Sequence, residues 1–74
     1  MELRIILDDD YMRALQQGLG AARATEVVRE SLTLLNWAMT ERQRGRVILS
    51  ATPEGQSVTQ LAMPALERVG AARD

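Results

Sequence analysis

The chain of 74 residues contains neither cysteine nor histidine. The first absence excludes disulfide bonds and thiolate metal sites, and the second removes the commonest metal ligand and the usual general base near neutral pH. An enzyme would have to work with carboxylates, arginines and hydroxyl groups, which demands a large cleft. We therefore expect that the protein is not an enzyme and that it uses no metal and no cofactor.

Lysine is absent as well, so nine arginines carry all of the positive side-chain charge against ten acidic residues, and the formal net charge is −1. DNA-binding domains usually have a pI above about 9, so this balance argues mildly against DNA. No apolar run approaches the roughly 20 residues that cross a bilayer. Because the first residues also lack the layout of a signal peptide, we expect a cytoplasmic protein with no membrane contact.

A chain of this length builds only a marginal core when no disulfide or metal supports it. The remaining route to stability is oligomerisation, which merges two small cores into one larger core. We therefore expect a homodimer.

The longest periodic segment covers residues 24–44. Its apolar positions recur every three to four residues, which predicts a helix with a wide apolar face. Gly45 is the predicted stop of this helix. The main apolar stripe is Val28, Leu32, Leu35 and Met39, and a second row lies one residue behind it at Val27, Ser31, Leu34 and Ala38.

Residues 1–7 alternate in the manner of a strand, with Leu3, Ile5 and Leu7 on one face and Glu2, Arg4 and Ile6 on the other. A lone strand leaves its backbone donors and acceptors unpaired, so it must pair with a later segment or with another chain. Residues 8–10 are three aspartates, which suit the start of a helix. The helix that follows carries apolar residues at Tyr11, Met12, Leu15 and Leu19 and should end at Gly20.

Beyond Gly45 the pattern changes to that of a β-hairpin. Residues 46–51 and 56–63 read as strands, and the proline and glycine of residues 52–55 suit the turn between them. Pro64 should open a short helical turn to Val69, followed by a frayed terminus over 70–74. We expect Trp37 to be buried under this hairpin, and the alternative is an anchor for a partner protein.

The order strand, helix, tight turn and longer helix resembles the ribbon-helix-helix family, whose members include the Arc and MetJ repressors. The resemblance covers residues 1 to about 44 and rests also on the run Thr25-Glu26-Val27-Val28-Arg29-Glu30-Ser31-Leu32. It implies an α+β fold in which a ribbon-helix-helix dimer (β-α-α) pairs two strands antiparallel, with a C-terminal β-hairpin and a short terminal helical turn added. The implied division is a dimerisation and DNA-binding core over 1–45 and an extension over 46–74.

The same resemblance implies the functional residues. The ribbon would enter the major groove of double-stranded DNA and contact bases through Glu2, Arg4 and Ile6. The N-terminus of the second helix, at Arg23, Ala24 and Thr25, would hold a phosphate, as free helix N–H groups can. The dimer core would comprise Leu3, Ile5, Leu7, Val28, Leu32 and Leu35.

Three hypotheses follow. The first is a homodimeric transcriptional repressor or a DNA-binding antitoxin, whose residues 46–74 would contact a toxin as its protein partner. The second is a dimeric protein–protein interaction module that does not bind DNA, which the acidic balance and Glu2 favour. The third is a monomer in which residues 1–7 pair with the hairpin in a three-stranded sheet.

Overall fold

The structure is a computed structural model that describes residues 1–73, with side chains described up to residue 70. Its elements are α1 (Asp9–Leu19), α2 (Ala24–Gln43), β1 (Leu49–Ser50), β2 (Thr59–Gln60) and α3 (Pro64–Arg73). The two strands form one antiparallel sheet. The chain is thus a small α+β protein with the order helix, helix, strand, strand, helix.

This order contradicts the predicted ribbon-helix-helix fold, because residues 1–7 do not form a strand. In the part of the chain that the structure describes, these residues take part in no backbone–backbone hydrogen bond. A strand is defined by its pairing, and alternation of side chains alone does not supply a partner. The sheet contains only β1 and β2 among residues 1–73, so the monomeric three-stranded sheet is wrong as well.

Helix α1 begins and ends close to the predicted positions. Asp8 is extended and its side chain makes no capping hydrogen bond, while Asp9 and Asp10 place negative charge in the first turn, where it complements the helix dipole. Gly20 ends the helix in the left-handed conformation, with φ 67°. The N–H of Ala21 then donates to the C=O of Gln16 at 2.8 Å, which satisfies one of the last carbonyls of the helix.

Helix α2 agrees in length with the predicted 24–44, and Gly45 follows it with φ 80°. Burial within the chain, however, falls on two residues of the second row of the apolar face. Val27 and Ala38 are each 3% exposed, whereas Leu32 in the main stripe is 59% exposed. The main stripe is therefore not the buried row of the single chain.

The hairpin is present, with shorter strands than predicted. Leu49 pairs with Gln60 and Ser50 with Thr59. The turn is held by Thr52, whose N–H donates to the C=O of Gln56 and whose hydroxyl accepts from the Gln56 N–H at 3.0 Å.

Helix α3 starts at Pro64 as predicted and continues to Arg73. Proline suits the first position of a helix, where its missing N–H costs nothing. The predicted end at Val69 and the fraying of residues 70–73 are wrong, while Asp74 lies outside the described residues.

Contacts between residues divide the chain into a first unit, Met1–Leu32, and a second unit, Thr33–Asp74. The boundary falls inside α2. No helix within residues 1–73 combines the length and the apolarity that crossing a membrane requires.

Candidate interaction groove

The first unit contains an open groove of about 420 Å³ whose walls are almost entirely apolar. We call it the apolar groove. Its lining residues are Leu3, Ile5, Leu7, Met12, Ala24, Thr25, Val28 and Leu32. No charged side chain lines it, so any group that fills it must be held by apolar burial.

Three segments build the groove. Residues 1–7 contribute every second side chain, as an extended backbone does when its side chains alternate. The first turn of α1 contributes Met12. The start of α2 contributes Ala24, Val28 and Leu32, whose spacing of four residues places them on one face of the helix.

Most of the predicted dimer core lies in this groove. Leu3, Ile5, Leu7, Val28 and Leu32 all line it. Leu35, the sixth predicted member, belongs to the second unit and is not a lining residue.

The predicted base-reading residues lie on the side of residues 1–7 that does not line the groove. Glu2, Arg4 and Ile6 are all exposed, and Ile6 is 92% exposed. Neither Glu2 nor Arg4 makes an ion pair with another described residue. Arg4 can therefore present its guanidinium to a ligand without breaking an interaction within the chain.

The predicted phosphate-binding residues do not form one polar cluster. Arg23 precedes α2, and its C=O accepts a hydrogen bond from the N–H of Glu26 at 3.2 Å. Ala24 and Thr25, in contrast, line the apolar groove. All three residues are exposed.

The charged side chains of the first unit are all exposed. The guanidinium of Arg13 contacts the carboxylate of Asp10 at 3.2 Å, and both side chains are largely in solvent. Such a pair contributes little to stability. Across the described residues, no group of acidic side chains is arranged to hold a metal ion.

The second unit also contains a set of polar contacts that sequence patterns did not predict. We call the contacts of Arg42 with Leu66 and Arg46 the polar junction. The Arg42 guanidinium donates through Nε to the C=O of Leu66 at 3.3 Å and through a terminal nitrogen to the C=O of Arg46 at 3.2 Å. Gly70 lies against the same guanidinium, which occupies the space that a Cβ would need. Arg42 and Leu66 are 24 residues apart, so no local spacing could have indicated their contact.

Glu41 adds an ion pair to the hydrogen bonds of this junction. Its carboxylate lies 2.7 Å from Nε of Arg46, and the Glu41 side chain is mostly buried. The contact does not have the geometry of a hydrogen bond, so it is a contact between charges. It joins the end of α2 to the segment that leads into the hairpin.

Trp37 is not buried under the hairpin as predicted. It is 51% exposed. Its large apolar surface therefore faces solvent in the single chain.

Comparisons with models of known protein families, with curated proteins and with solved structures found no match for this chain. The resemblance to ribbon-helix-helix proteins therefore rests on the residues quoted above alone.

Proposed function

We propose that the protein is a cytoplasmic homodimer that binds double-stranded DNA, as a transcriptional repressor or as a DNA-binding antitoxin. One observation carries the proposal. Residues 1–7 line the apolar groove with one row of side chains and expose the other row, Glu2, Arg4 and Ile6, to solvent. A second copy that covers the groove leaves the exposed row of both copies available to a ligand.

Exposed apolar side chains of the first unit support self-association. Leu3 is 67% exposed, Ile6 is 92% exposed and Leu19 is 62% exposed. Removal of such side chains from water is a main driving force of protein association.

Arg4 supports the DNA-binding part. An arginine can donate two hydrogen bonds to the O6 and N7 atoms of guanine in the major groove, or bind a phosphate oxygen. A homodimer would supply two such side chains related by a twofold axis, as palindromic DNA sites require. The mechanism is therefore direct contact with bases or phosphates by paired arginines, without catalysis.

The test is duplex DNA binding by the intact chain, measured over a range of salt concentrations. We expect affinity that falls steeply with salt, because phosphate contacts release counterions. Arg4→Ala should weaken specific binding, with a loss of about 1–3 kcal/mol for each bidentate contact. Arg68→Ala is the matched control, since Arg68 is an exposed arginine of the second unit.

Glu2→Ala tests the same surface with the opposite sign. If Glu2 only repels phosphate, its removal should strengthen binding to DNA of any sequence. A chain that binds no duplex at low salt, with or without Glu2, would contradict the DNA-binding proposal.

The second candidate is a homodimeric protein–protein interaction module that does not bind DNA. The exposure of Ile6 in the same row as Glu2 favours this candidate, because an aliphatic side chain and a carboxylate do not attract phosphate. The formal net charge of −1 also favours it. Both candidate functions predict a homodimer. Only the first predicts binding to duplex DNA, so that measurement distinguishes them.

A further inference from the structure

We draw no further inference here: the strongest candidate, the patch of exposed apolar side chains Val47, Leu49 and Val58 on the hairpin of the second unit, carries none because nothing in the structure shows what covers it.

Discussion

The two units of the chain hold their segments together in different ways. In the second unit, hydrogen bonds join residues far apart in sequence, from Leu61 to Ile48 and from Arg42 to Leu66. In the first unit, the backbone hydrogen bonds outside the helix interiors span at most five residues, as between Ala21 and Gln16. Side chains of residues 1–7, α1 and α2 together line the apolar groove.

This difference has a physical consequence. Hydrogen bonds within the second unit satisfy polar groups without help from another molecule. The first unit has apolar side chains around an open groove, and this apolar surface is costly in water unless something covers it. We infer that the first unit depends on a second copy more strongly than the second unit does.

The largest effect should come from Leu32→Asp. In one chain Leu32 is 59% exposed, and a charge there would change stability by about 0.5 kcal/mol or less. In a dimer that covers the groove, the carboxylate would be buried without a partner, at a cost of several kcal/mol per copy. We therefore expect loss of self-association and of the folded first unit, measured by sedimentation and circular dichroism.

Asn36→Asp is the control for that substitution, since it adds the same charge at an exposed polar position of α2. It should leave both signals unchanged. A Leu32→Asp variant that stays folded and associated would show that the groove is not covered.

Glycine-to-alanine substitutions should have smaller effects. They should change the free energy of unfolding in opposite directions in the two units. A Cβ at Gly18 in α1 meets nothing within 4 Å. Gly18→Ala should therefore raise the free energy of unfolding by about 0.5–1 kcal/mol, as alanine does in a helix. A Cβ at Gly70 would displace the Arg42 guanidinium and break its hydrogen bonds, so Gly70→Ala should lower the free energy of unfolding by about 1 kcal/mol.

Urea unfolding of both variants measures this contrast. Stabilisation by Gly70→Ala comparable to that by Gly18→Ala would mean that Arg42 moves aside without cost. The junction would then contribute nothing to the stability of the second unit.

The smallest effect should come from Ser57→Gly in the hairpin. Ser57 has φ 53°, in the left-handed region that side chains other than glycine adopt at a cost. Glycine removes this strain but adds freedom to the unfolded chain, so we expect a gain of only a few tenths of a kcal/mol. Ser50→Gly in β1 is the comparison and should be destabilising in the same unfolding measurement. Equal effects of the two changes would argue against strain at Ser57.

Features set by local sequence were predicted well. Gly20 and Gly45 mark the ends of α1 and α2, Thr52-Pro53-Glu54-Gly55 forms the hairpin turn, and Pro64 opens α3. Each depends on the backbone preferences of a few adjacent residues.

Features that depend on distant partners were predicted poorly. Residues 1–7 do alternate, since every second side chain lines the groove. A strand also needs a second strand, and none among residues 1–73 pairs with this segment. The exposure of Trp37 and the contact of Arg42 with Leu66 likewise depend on segments far away in sequence. For the candidate site, the resemblance assigned five of the eight groove residues to a dimer core, and it assigned two others, Ala24 and Thr25, to a phosphate site.

The mass of the intact chain in solution tests the central claim most directly. Sedimentation equilibrium without DNA should give at least twice the 8.2 kDa of one chain at micromolar concentrations. The apolar side chains around the open groove predict this result, because a second copy would remove them from water. A single 8.2 kDa species that persists up to about 100 μM, where even an association with a micromolar Kd would be nearly complete, would contradict it.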